Sequence, residues 1–320
     1  MKNKLLILGM ATVFSLGLAG CNSAEETSNS AEVSEEKKEV SETQKITYLG
    51  QEYTLPSEVK SIATASLESM EDATLLGVKP VGAITIGGKL PEYVAEELAG
   101  AESIGEKHQP SYETLLQLKP DVILGTSKFS EDIVSQLNKV AKTVPVSHIS
   151  TDWEDNLRLM AQLTDKEEEA DQIISDYKEN ANTLKEELSA TLTDKKVVII
   201  RVRAGNLNIY PEAVYLNPVI YQDLGIAVPE EIKAAKAQEQ IALEKLAEMN
   251  PDYVFLQFEE SENSDKPQAL EELQNNAIWN SIEAVKNNQV FVNAVDPMAQ
   301  GGTAWSKTAF LKAVKEHLTK

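Results

Sequence analysis

Apolar residues along this chain follow two rhythms. Short, nearly continuous Val/Ile/Leu-rich runs occur from Pro80 to Thr85, Asp121 to Thr126, Thr143 to Ile149, Lys196 to Val202, Tyr253 to Phe258 and Val290 to Ala294. Such runs are expected of parallel strands covered on both faces. Between the third and fourth, Ala170, Ile173, Ile174, Tyr177, Ala181, Leu184 and Leu188 recur at three- and four-residue spacing among charged residues. That spacing predicts a helix from about Asp165 to Ser189, roughly 37 Å long at about 1.5 Å per residue. Thr164 with Glu167 gives a capping-box pattern at its start, and Thr151 with Glu154 opens a shorter helix in the same way. Strand and helix alternate on either side of this long helix, which predicts an α/β protein with two lobes on a stiff connector.

The two halves also share a segment. Tyr112-Glu113-Thr114-Leu115-Leu116-Gln117-Leu118-Lys119-Pro120-Asp121-Val122-Ile123-Leu124 aligns without gaps to Leu243-Glu244-Lys245-Leu246-Ala247-Glu248-Met249-Asn250-Pro251-Asp252-Tyr253-Val254-Phe255. Each half therefore carries a helix with Glu near its start, a Pro-Asp turn and a buried strand. Helix, Pro-Asp, strand is a common connection; the matching Glu is not explained by it.

The N-terminus reads as an address. Lys2 and Lys4 precede an apolar run from Leu5 to Leu18, which is short for a membrane span and suits a cleaved secretory signal over 1–20. Cys21 is the only cysteine, so it forms no internal disulfide, and Leu18-Ala19-Gly20-Cys21 resembles the lipobox at which bacterial lipoproteins are acylated. Residues 21–45, rich in Ser, Glu, Asn, Thr and Lys, read as a lipidated tether with too little apolar surface to fold. Residues 46–150 then form an N-terminal lobe, 151–190 the connecting helices and 191–320 a C-terminal lobe. The net charge of −21 argues against a nucleic-acid partner. No Gly-x-Ser-x-Gly elbow or P-loop appears, and the three histidines form no spaced metal cluster, so neither an enzyme nor a direct metal site is expected.

The Leu-Ala-Gly-Cys motif, the segment from Gln109 to Asp121, the mid-chain helix and Trp279 to Val292 together resemble the iron-siderophore class of periplasmic-type binding proteins, across about 46–318. The resemblance implies the class III fold: two Rossmann-like lobes joined by a long rigid helix, with a shallow cleft between them. It implies a lipoprotein on the outer face of a Gram-positive cytoplasmic membrane, monomeric, with no covalent cofactor beyond its lipid, which passes an Fe(III)-siderophore to the permease dimer of an ABC importer. In that family, glutamates matching Glu113 and Glu244 meet arginines on the importer, one per lobe; a helix-dipole role is the alternative for each. The stretch from Asp296 to Lys307 is similar to a subgroup handling citrate-based hydroxamate siderophores. Relatives of the same fold take haem or cobalamin, and Met298 with His108 as axial ligands would suit haem.

An anionic ferric complex calls for cations, hydrogen-bond donors and aromatic walls. Arg201 and Arg203 lie two apart at the end of a strand and share a face, placed either for ligand or for an internal salt bridge. Lys128 follows a strand end, where ligands of open α/β sheets gather, or is simply solvated. His108, Tyr210, Trp305 and Lys307 are further ligand candidates, the last two on the premise that Gly301-Gly302 gives a flexible segment; core packing is the alternative for Tyr210 and Trp305.

Overall fold

The structure, a computed structural model, describes residues 42–319. Cys21, the signal segment and nearly all of the tether lie outside the described residues. The first element is a hairpin of β1 (Thr43–Tyr48) and β2 (Gln51–Pro56), turned by Leu49 and Gly50 at φ 47° and 77°. Two successive positive φ values give the turn whose twist suits a two-residue hairpin. Ile46, Tyr48, Tyr53 and Leu55 are buried beneath it, and β1 begins at Thr43, within the stretch read from sequence as tether.

The first lobe holds β3 (Ile62–Thr64), β4 (Gly82–Thr85), β5 (Glu102–Glu106), β6 (Gln109–Pro110), β7 (Val122–Thr126) and β8 (Lys142–Val146) in the order β6-β5-β4-β3-β7-β8. Only the β5–β6 pair is antiparallel. The second lobe holds β9 (Val197–Arg203), β10 (Asn206–Ile209), β11 (Glu239–Gln240), β12 (Tyr253–Phe258) and β13 (Val290–Val292) in the order β11-β10-β9-β12-β13. Here β9, β12 and β13 run parallel, and β10 runs antiparallel to both its neighbours. Consecutive residues of β7, β9 and β12 are buried, as their unbroken apolar runs require of strands covered on both faces.

The internal repeat has a structural basis. Helices Tyr112–Leu118 and Leu243–Met249 both end in a left-handed residue, Lys119 and Asn250. The Asp that follows each then fastens the neighbouring parallel strand: Asp121 Oδ2 accepts the backbone N–H of Ser61 at 2.8 Å, and Asp252 Oδ2 that of Lys196 at 2.9 Å. Ser61 leads into β3 and Lys196 into β9, so the matched aspartates do the same work in both sheets.

The mid-chain helix runs over Glu167–Leu188 and buries Ala170, Ile174, Tyr177, Ala181, Leu184 and Leu188. Neither expected capping box forms. Asp165 turns left-handed at φ 53°, and the Thr164 hydroxyl donates to Met160 O at 2.8 Å, which finishes the preceding helix instead of starting the next. Three glutamates, Glu167, Glu168 and Glu169, provide the favourable charge at the helix start instead. Thr151 sits in a short 3-10 turn ahead of the helix Trp153–Gln162, and Glu154 is occupied by Lys178 and Arg158.

Candidate functional site

The strands of both sheets point their carboxyl ends at a cavity of about 430 Å³ between the lobes, the location expected for ligands in open α/β sheets. From the first lobe come Lys107 and His108 in the β5–β6 turn, Lys128 after β7, and His148 after β8. From the second come Arg201 and Arg203 on β9, Tyr210 after β10, and Lys236 and Gln238 before β11. Among the described residues, five cations line this cavity and no carboxylate does.

Alternation along β9 puts Arg201 and Arg203 on one face, and one carboxylate holds both. Arg201 Nε donates to Glu262 Oε2 at 2.8 Å and Arg203 Nε to the same oxygen at 2.9 Å, while Arg203 Nη2 takes Oε1. Glu262 reaches them because its short helical turn, Ser261–Asn263, is tied to the β9–β10 hairpin. Ala204 N–H donates to Glu262 O at 3.0 Å, and Gly205 N–H to Asn263 Oδ1 at 3.0 Å. Burial would raise the Glu262 carboxyl, but hydrogen bonding and charge from Arg203 and Arg201 outweigh it and hold its pKa at about 2. The arginines differ in access: the Arg201 side chain is 5% exposed and spends Nη1 on the Tyr215 hydroxyl, whereas that of Arg203 is 35% exposed. The salt-bridge and ligand alternatives left open by the sequence thus coexist in this pair.

Lys128 is partly exposed and lies 3.4 Å from the buried Glu68. Lys107, which no periodicity singles out, is half-buried among like charges. Burial, then the positive fields of Lys128, Arg201 and Arg203, lower its pKa to about 8. Burial, Lys107 and Lys128 likewise push His108 below its ordinary value, with Glu68 opposing them. Tyr210 forms a wall, its hydroxyl donating to Gln238 Oε1 at 3.0 Å and its ring 4.9 Å from that of Tyr215.

Two candidates lie elsewhere. Lys307 is buried between the connecting helices, its Nζ 2.7 Å from Asp223 and about 5 Å from the rings of Tyr177 and Trp153. Trp305 packs on Tyr93 with ring centroids 4.7 Å apart. The glycines that suggested flexibility have another purpose: a Cβ on Gly301 would meet the Tyr215 carbonyl oxygen at 2.6 Å, and one on Gly302 the Ser150 Cα at 3.0 Å. They permit close packing that fixes the segment and turns Trp305 and Lys307 away. Met298 is buried against Arg201, with its sulfur 4.0 Å from Nη2, and does not line the cavity as a haem ligand would.

Glu113 and Glu244 are both exposed, each in the first turn of its helix. Among the described residues neither carboxylate has a hydrogen bond or ion pair, and the first helix is already capped by Ser111, which accepts the Thr114 N–H at 3.2 Å.

The sequence signature of the periplasmic binding protein family matches residues 62–294. The iron-uptake system-binding protein of Bacillus subtilis is 47% identical over 99% of both chains. Among solved structures, the triscatecholate siderophore binding protein FeuA of Bacillus subtilis, complexed with ferri-bacillibactin, superposes with a TM-score of 0.82 at 50% identity, covering 86% of this chain and 98% of its own. Staphylococcus aureus SirA complexed with staphyloferrin B gives 0.74 at 25% identity, covering 86% of this chain and 98% of its own.

Proposed function

This chain belongs to the periplasmic binding protein family, and from that premise we propose that it captures a ferric siderophore of the tris-catecholate class outside the cytoplasmic membrane and delivers it to an ABC importer. The observation that carries the reading is the charge of the cavity. Lys107, Lys128, Arg201, Arg203 and Lys236 face it, and among the described residues only Glu262 and Glu68 stand against them as partners, leaving an excess of three positive charges. A ferric ion wrapped by three catecholate dianions is trianionic, so charge and site correspond. The siderophore supplies every iron ligand, and the protein supplies cations, donors and the Tyr210 wall.

The similarity to a triscatecholate binder at 50% identity moves the reading away from the citrate-based hydroxamate suggested by the segment after Asp296. That segment is turned largely toward packing, and only Ala299 and Gln300 of it reach the cavity. Arg203 and Lys107, with the best combination of access and charge, are assigned direct contact, and Arg201 supports Arg203 from beneath. The unpartnered Glu113 and Glu244 are assigned to docking on the importer, and Cys21 to lipid attachment.

Titration of the purified body with ferri-bacillibactin, a ferric citrate-hydroxamate and haem, followed by tryptophan fluorescence, tests the reading. Saturable quenching strongest with ferri-bacillibactin is expected; preference for either of the others refutes the ligand class. Glu113→Ala with Glu244→Ala is expected to leave that titration unchanged while lowering uptake of radioactive iron.

A further inference from the structure

His148 follows β8 and lines the same cavity as Lys107 and Lys128, though its sequence surroundings read only as a strand end. Its ring is fixed from one side. Nδ1 lies 2.7 Å from Ser127 Oγ, and the same Oγ accepts the His148 backbone N–H at 3.1 Å. Ser127 is itself anchored, its N–H donating to Val146 O at 2.8 Å. With a main-chain donor already on Oγ, the hydroxyl proton finds its acceptor in Nδ1; a reversed bond would leave that proton without a partner among the described residues. Nδ1 therefore accepts, and the neutral ring carries its proton on Nε2. Among the described residues nothing hydrogen-bonds Nε2.

Burial, more than the surrounding charges, favours the neutral ring. Burial and Lys128 push its pKa below the ordinary value, with Glu68 and Asp152 opposing them. A neutral donor adds something that ammonium groups do not. Lys107 and Lys128 attract any anion from any direction, whereas one N–H on a ring held by Ser127 favours an oxygen in one place.

We propose that His148 is a specificity-determining ligand contact, its Nε2–H donating to an oxygen of the bound ferric complex, with Ser127 as the residue that sets its tautomer and orientation. The inference rests on the proposed capture of a ferric tris-catecholate, and it assigns a directional contact within that site.

The test is a fluorescence titration with ferri-bacillibactin of the wild type, His148→Leu, His148→Gln and Ser127→Ala, each checked by thermal melting. Removing the donor in His148→Leu is expected to weaken binding by about tenfold, and His148→Gln, whose side-chain amide also donates, to recover most of the loss. Ser127→Ala, which frees the ring, is expected to lose about threefold. Wild-type protein that fails to bind ferri-bacillibactin overturns both this inference and the functional reading beneath it. Native affinity in a folded His148→Leu, with the wild type binding, overturns this inference alone. Should His148→Leu melt early, Ser127→Ala decides: a threefold loss supports the contact and native affinity overturns it.

Discussion

The backbone N–H of Gln300, on the wall of the cleft, donates to Glu71 at 2.9 Å, a bond from the last part of the chain to a helix of the first lobe. The same buried carboxylate accepts hydroxyls from Tyr93 at 2.6 Å, Ser306 at 2.5 Å and Thr303. Glu71 thus bolts the segment after β13 to the first lobe and fixes Gln300 in place.

Glu71→Ala would strand several of these donors and is expected to cost about 2 to 3 kcal/mol in urea denaturation. Burial raises the Glu71 carboxyl from 4.5 to about 7, against the pull of its four donors. Between those values the folded state keeps a proton that the unfolded chain has released. Stability from this group therefore rises as pH falls from 7 toward 4.5, and that rise should be missing from a melting series of Glu71→Gln.

Glu262 works in the opposite sense. Its folded pKa near 2 lies below the ordinary 4.5, so its contribution is complete above 4.5 and is lost as pH falls from there toward 2. Glu262→Gln should lower stability at pH 7 by about 3 kcal/mol, because the buried Arg201 loses its counter-charge. Its stability should then change less than that of the wild type across the acid window, as read by circular dichroism melts.

In the proposed site Lys107 is expected to set an upper pH limit on capture. The unliganded cavity lowers its pKa to about 8, and an anionic ligand favours the protonated form. Affinity for the ferric complex should fall above pH 8 by up to about tenfold per pH unit. Calorimetric titrations from pH 7 to 9.5 should show that slope in the wild type and a shallower one in Lys107→Arg.

Lys307 is expected to matter for folding alone. Lys307→Ala breaks a buried ion pair with Asp223 and should cost about 3 kcal/mol. Folded variant protein should bind ferri-bacillibactin as the wild type does; a selective loss of affinity would return Lys307 to the site.

Such particulars show where the sequence was readable. Strands β7, β9 and β12 stood out because burial on both faces leaves unbroken apolar runs, and the Glu167–Leu188 helix because one buried stripe imposes its spacing. The β1–β2 hairpin also carried a signal, the alternation of Ile46, Tyr48, Tyr53 and Leu55, but polar residues between them hid it beside the tether. Arg201 and Arg203 were legible because charge at a strand end demands a reason. Lys107, His148 and Glu262 were not, since no hydrophobic pattern marks the hairpin turn, the segment after β8 or the short helical turn that carries them. Trp305 and Lys307 were misplaced because a glycine pair permits close approach as readily as it permits motion, and sequence does not separate the two.

The fastening of Glu262 to the β9–β10 hairpin has a thermodynamic consequence for capture. In the proposed site Arg203, held by Glu262 and backed by Arg201, would meet the ligand already ordered, so the rotamer entropy otherwise lost on binding, about 0.5 to 1.5 kcal/mol per long side chain, has been given up during folding. Lys107 and Lys236, with no ion-pair partner among the described residues, keep that freedom until the complex arrives. In the proposed site the Glu262-held arginines are thus a rigid template and Lys107 and Lys236 a pliable part of the lining: the first would enforce the geometry of the iron core, and the second would let chelates with different outer groups settle against it.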